Sequence, residues 1–145
     1  MHNEAQAPEK INVVLIAEDN KAIQDMLVDM IGESDKTLEV IQCMSMDDAL
    51  DAFTKHLPRL KLILIDGNMP QRRGSGISST IPLAKLMRKN FSGVMVAISG
   101  DEAATMQLAQ AGCDHAIDKT LVTHLIALMK KLLGPPPRDI VRQAE

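Results

Sequence analysis

The chain has 145 residues, a net charge of −3 and a pI near 5.8, with 46% apolar and 24% charged residues. That describes one ordinary globular domain, able to bury roughly 68% of its unfolded surface, and its acidic balance argues against nucleic acid or an anionic membrane as a direct partner, both of which need a basic footprint. Nothing approaches the about 20 apolar residues of a membrane span, "MHNEAQAPEK" lacks a signal peptide's apolar core, and with Phe53 and Phe91 as the only aromatics there is no platform for stacking bases.

Residues 1–9 read as a flexible N-terminal segment. The run "INVVLIA" (11–17) is continuous enough for a strand buried on both faces, and it ends in Glu18 and Asp19. Ile23, Met26, Leu27, Met30 and Ile31 then follow i, i+3, i+4, i+7, i+8 spacing, which predicts a helix with one apolar face. A second strand is "LEVIQC" (38–43). Ser45 and Asp48 are spaced as a capping box before a helix carrying Met46, Ala49, Leu50 and Phe53. The third strand, "LKLILI" (60–65), runs straight into Asp66 and the turn-like Gly67-Asn68-Met69-Pro70. "RRGSG" (72–76) lacks the P-loop pattern and reads as a flexible loop.

Leu83, Leu86 and Met87 mark a third helix, whose start Pro82 leaves undefined. "GVMVAIS" (93–99) is a fourth strand that delivers Ser99, and a helix over about 101–111 follows, with Gly112 as its C-cap. "HAID" (115–118) is a weak fifth strand, followed by Lys119. The last helix holds Leu121, Leu125, Leu128, Met129 and Leu132 and stops at "GPPP"; residues 134–145 are a tail stiffened by Pro135, Pro136 and Pro137.

Strict alternation of strands and helices predicts a doubly wound α/β domain over residues 10–133. A five-stranded parallel sheet would be covered by helices on both faces and joined by right-handed crossovers. Cys43 and Cys113 have no CxxC spacing and read as reduced, buried thiols of a cytoplasmic protein. His2, His56, His115 and His124 share no ligand spacing, and the methionines fall at core positions.

In such a sheet, ligands bind outside the C-terminal ends of the strands. Glu18, Asp19, Asp66, Ser99 and Lys119 all leave those ends, so they should converge on one crevice. Two like charges at about 4 Å and an effective dielectric near 20 repel by roughly 4 kcal/mol, a cost that makes sense only if a cation sits among the three carboxylates. An all-oxygen set without His or Cys points to a hard ion, and Mg²⁺ suits few carboxylates and several waters. With a lysine and a hydroxyl beside it, the set forms a site for receiving a phosphoryl group on a carboxylate.

Four motifs, "LIAEDN", "LILIDGNMP", "VAISG" and "IDKT", stand in order on this pattern. Over about residues 10–133 the sequence resembles the receiver domains of two-component response regulators. The resemblance implies a flavodoxin-like (βα)₅ fold with Asp66 as phosphoacceptor. It implies Mg²⁺ bound by Glu18, Asp19, Asp66 and the backbone carbonyl of Asn68, with Ser99 hydrogen-bonding the phosphoryl group and Lys119 pairing with it. It implies a signalling domain rather than a turnover enzyme, phosphorylated by a sensor histidine kinase or a histidine phosphotransfer protein and switching a downstream protein partner.

Some positions depart from the family. Arg73 and Gly74 stand where Asp-Gly is frequent, the segment to Ser99 runs a few residues long, and Thr120 replaces the usual proline. Ala116 replaces the usual Tyr or Phe, so activation should stay near residues 99–104. A haloacid-dehalogenase-like phosphatase also forms an aspartyl phosphate, but it needs an aspartate where Asn68 stands and a cap domain this chain has no room for. A pseudo-receiver acting only as a binding module is the other alternative, and the intact acidic set speaks against it.

Overall fold

The computed structural model describes residues 12–118, together with the helical Ala127 and Lys131. In chain order the elements are β1 (Asn12–Ala17), α1 (Lys21–Ser34), β2 (Leu38–Cys43), α2 (Met46–His56), a 3₁₀ turn (Leu57–Arg59) and β3 (Leu60–Asp66). There follow β4 (Asn68–Pro70), β5 (Ile77–Ser79), α3 (Ile81–Asn90), β6 (Val94–Ser99), α4 (Glu102–Ala111) and β7 (His115–Asp118). Five of the strands form one sheet in the order β2-β1-β3-β6-β7, every neighbouring pair parallel. The doubly wound arrangement expected from the alternation is therefore present.

Period-two alternation sorts the apolar strand residues onto two faces. Val13, Leu15, Ala17, Ile63, Ile65, Met95 and Ala97 face α2, α3 and α4, where they meet Phe53, Met87 and Leu108. Val14, Ile16, Leu62, Leu64, Val96 and Ile98 face the other way, onto Leu27 and Ile31 of α1. Strands buried on both sides need apolar residues at every position, which is why their sequences are continuous runs rather than alternating ones.

Caps set the helix limits. The Asn20 side chain accepts from Ile23 N (3.1 Å), and Asp101 Oδ1 accepts from Ala103 N (3.0 Å). Gly112 ends α4 at φ 127°, and a Cβ there would meet Arg88 Cγ at 2.5 Å, so two constraints demand glycine. Pro82 is the second residue of α3, where its missing N–H is an orphan donor in any case. Ser45 Oγ accepts from Asp48 N (3.1 Å), which is its half of the expected capping box. The Asp48 carboxylate, however, holds Arg73 Nε at 2.8 Å, an ion pair 25 residues away in sequence.

That ion pair belongs to the largest departure from expectation. Residues 72–76 are a loop, as expected, but one that closes a hairpin between two short strands the sequence reading did not anticipate. β4 and β5 form an antiparallel ribbon with Asn68 opposite Ser79, Met69 opposite Ser78 and Pro70 opposite Ile77. Ser75 N donates to Arg72 O (3.0 Å), closing a turn whose third residue, Gly74, has φ 85°, a value that favours glycine. Ser75 Oγ also bonds Arg72 N (3.1 Å) and Arg72 O (2.8 Å). The ribbon is tied to α2 by Asp47 N to Gln71 O (2.9 Å) and Gln71 Nε2 to Asp47 Oδ1 (2.6 Å), besides the arginine contact. The final predicted helix and Lys119 lie outside the described residues apart from Ala127 and Lys131. Among the described residues no helix is long and apolar enough to cross a membrane.

Candidate functional site

The site lies at the C-terminal edge of the sheet. β1 stops at Ala17, and the chain turns through Glu18, Asp19 and Asn20 into α1. Glu18 is fully buried; its Oε2 accepts from Asn20 N (3.0 Å), and its own N–H donates to Cys43 O (3.1 Å). Gln24, also fully buried, reaches down from α1 and donates Nε2 to the carbonyls of Ile16 (3.0 Å), Glu18 (3.0 Å) and Cys43 (3.1 Å). One side chain thus fastens the exit of β1 to the end of β2. The sequence reading missed it, although Gln24 sits three residues before Leu27 and seven before Ile31, on the buried stripe where a polar residue is a signal.

Asp66 is the last residue of β3 and is only 6% exposed. Its Oδ1 accepts from Gly67 N at 2.7 Å. Behind it, buried Thr80 donates Oγ1 to the carbonyl of Asp66 and N to the carbonyl of Gly67 (3.1 Å), fixing the backbone that carries the carboxylate. Gly67 is needed for close approach, because a Cβ there would meet the Ala104 Cβ at 2.6 Å and Ser99 Oγ at 3.5 Å. Ser99 ends β6 beside it, buried, with Oγ accepting from Asp101 N at 3.0 Å.

One carboxylate oxygen from each of Glu18, Asp19 and Asp66 lies within 4.8 Å of the others. At that separation and an effective dielectric near 20, each like-charge pair repels by roughly 3.5 kcal/mol. The donor set, three carboxylates with two of them buried, fits a hard divalent cation. The structure therefore brings together three of the residues singled out in the sequence and sets Ser99 beside them. Asn68, in β4, is exposed two residues beyond Asp66. Ala116 is exposed on β7 and lines, with Ser99, Gly100 and Thr105, an open cleft of about 300 Å³.

The arrangement is a doubly wound parallel sheet with an acidic cluster at its C-terminal edge that could hold a metal ion. The chain matches the response regulator receiver domain over residues 14–131 and belongs to that family, the receivers of two-component systems. Solved structures share the fold. One is a probable two-component system response regulator/GGDEF domain protein (TM-score 0.71, 18% identity), matched over 86% of this chain and 50% of that one, so the chain spans half the length of that relative. Another is the signal receiver domain of a DNA-binding response regulator from Colwellia psychrerythraea 34H (TM-score 0.70, 19% identity, 84% of this chain and 98% of that one). A third is a CheY-like receiver domain from Methylobacillus flagellatus (TM-score 0.67, 21% identity, 84% and 98%). No curated protein matches the chain by sequence. Receiver domains are signalling domains, which work with histidine kinases or phosphotransfer proteins and with downstream effectors.

Proposed function

We propose that this receiver is an active phosphoacceptor, taking a phosphoryl group onto Asp66 from the phosphohistidine of a sensor kinase or phosphotransfer protein in the cytoplasm. The observation that carries the reading is the convergence of the Glu18, Asp19 and Asp66 oxygens within 4.8 Å, on a carboxylate held rigidly at the end of a buried strand. These three residues and the backbone carbonyl of Asn68 would hold Mg²⁺, which supplies positive charge against the oxygens of the transferring group.

An Asp66 oxygen attacks phosphorus in line. A P–O bond forms as the P–N bond of the protonated phosphohistidine breaks, and the imidazole leaves neutral. By the family's pattern Lys119 pairs with the new acyl phosphate. Ser99 turns its hydroxyl to the phosphoryl oxygen and gives up its 3.0 Å contact with Asp101 N. Asp101 is the N-cap of α4, so that exchange loosens the first turn of α4 and shifts which downstream partner binds. With Ala116 unable to switch rotamers, the change concentrates between Ser99 and Ala104. Acetyl phosphate with Mg²⁺ should add the mass of one phosphate, and Asp66→Asn should abolish it. Undiminished labelling of that variant would sink the assignment.

A further inference from the structure

The oxygens of Glu18, Asp19 and Asp66 gathered within 4.8 Å repel one another, so a loose backbone would let them drift apart until a cation arrived. Asp19 lies two residues beyond Ala17 of β1, and Asp66 directly follows Ile65, the residue paired with Ala17 on β3. At each of these two exits a buried polar side chain grips the backbone.

At the first exit Glu18 is pinned at both ends. Its N–H donates to Cys43 O at 3.1 Å, and its carbonyl accepts from Gln24 Nε2 at 3.0 Å. The peptide group of that carbonyl leads into Asp19. The two amide hydrogens of Gln24 serve three carbonyls, those of Ile16, Glu18 and Cys43. Its Oε1 is buried with no hydrogen-bond partner among the described residues. An unpaired buried acceptor weakens a core, so folding alone would favour an apolar residue on this stripe of α1.

Thr80 grips the second exit. It is the N-cap of α3, yet its side chain makes no capping bond to that helix. The hydroxyl turns to the carbonyl of Asp66 instead, and Thr80 N donates to the carbonyl of Gly67 at 3.1 Å. Gly67 N in turn donates to Asp66 Oδ1 at 2.7 Å, so the grip reaches the carboxylate itself. Each residue forgoes what its place in the fold would favour, and each holds a carbonyl beside the acidic site.

We propose that Gln24 and Thr80 are positioning residues that set the metal preference of this site, favouring Mg²⁺ over Ca²⁺. The inference rests on the reading of Glu18, Asp19 and Asp66 as a metal site. Mg²⁺ demands near-ideal octahedral geometry at about 2.0–2.1 Å, whereas Ca²⁺ accepts about 2.3–2.6 Å and irregular coordination. A frame that cannot spread favours the smaller ion, and a loosened one gives that advantage up. Neither side chain need touch the ion, because groups behind metal ligands act by orienting them.

Calorimetric titration of the metal-free protein with MgCl₂ and with CaCl₂ reads this preference. Gln24→Met keeps the length of the side chain but loses the donors, and Thr80→Val keeps the shape but loses the hydroxyl. Each should weaken Mg²⁺ binding about tenfold and Ca²⁺ binding by no more than about threefold. Thr80→Ser, which keeps the hydroxyl, should restore the wild-type ratio. Ile31→Val, on the same stripe of α1, lowers stability through a small cavity and should leave both affinities within about twofold. Should Gln24→Met fail to fold, the two Thr80 variants decide. Unchanged Mg²⁺ affinity in Gln24→Met or Thr80→Val would overturn the inference, as would wild-type protein that prefers Ca²⁺. An equal loss for both ions, or a loss as large in Ile31→Val, would also overturn it, making the two side chains supports of the fold alone. Wild-type protein that binds neither ion overturns the reading of the acidic cluster as a metal site, and the inference with it.

Discussion

At the N-terminal ends of β6 and β7 one guanidinium is surrounded by acceptors, whereas at the C-terminal ends of β1 and β3 three carboxylates face one another. Arg88, on α3, donates Nη1 to Gly112 O (3.1 Å) and Asp114 Oδ2 (3.1 Å), and Nη2 to the carbonyls of Phe91 and Gly93. Its Cζ lies 5.7 Å from the Phe91 ring centroid, and Asp114 Oδ2 also takes the N–H of Met95 at 2.9 Å. Opposite charges meet there, and three chain segments are locked together. At the other end like charges are gathered, and two of the three carboxylates are buried. The first cluster is explained by stability alone. The second gathers groups that could hold a metal ion, and the contrast separates a structural network from a candidate site.

The comparison predicts opposite responses to removing charge. The largest effect on stability should come from Arg88→Met, which strands the carbonyls of Phe91, Gly93 and Gly112 and leaves Asp114 without its ion pair. A loss of about 2–4 kcal/mol is expected in urea unfolding, with phosphorylation of the still-folded protein unchanged. A loss below about 0.5 kcal/mol would show that the network is only surface decoration.

At the acidic end, Asp19→Ala should move stability the other way or not at all. Relief of like-charge repulsion should make the metal-free protein up to about 1 kcal/mol more stable, a fraction of the Coulomb figure because Asp19 is partly solvated. Calorimetric titration should meanwhile show Mg²⁺ affinity at least about tenfold weaker, as befits loss of one charged ligand. Unchanged affinity would remove Asp19 from the metal site.

The smallest effect compares the thiols beside the two clusters. Burial pushes Cys43, next to Asp48 and Arg73, up from 9.0 to about 12, and it does the same to Cys113, next to Asp114 and Arg88. The folded state holds each thiol proton more tightly than the unfolded chain, so this contribution is complete below pH 9 and declines as pH rises from 9 toward 12. Cys113→Ala should make that decline shallower, and Cys43→Ala should do so to a similar degree, because burial dominates both shifts. Rapid alkylation of either thiol at pH 8 in the folded protein would contradict it.

Much of this molecule was legible in the chain itself. Strands at 38–43 and 115–118 fall where the apolar runs place them, the third run ends at Asp66, and Gly112 closes α4. These features are local: a buried strand must be apolar at every position, and a left-handed cap must be glycine. The grouping of Glu18, Asp19, Asp66 and Ser99 was legible too, because parallel topology sends every strand's C-terminus to the same edge. What tertiary structure alone decided are the partnerships between distant residues. Nothing near Asp48 in sequence says that its carboxylate holds Arg73 rather than completing a capping box, or that 72–76 is a fixed turn. Gln24 reads as one polar residue on a helix until β1 and β2 bring three carbonyls beneath it, and Arg88 as a surface cation until Phe91, Gly93, Gly112 and Asp114 close around it. Periodicity is written along the chain, but a hydrogen bond between segments is set by the packing that brings them within about 3 Å of each other.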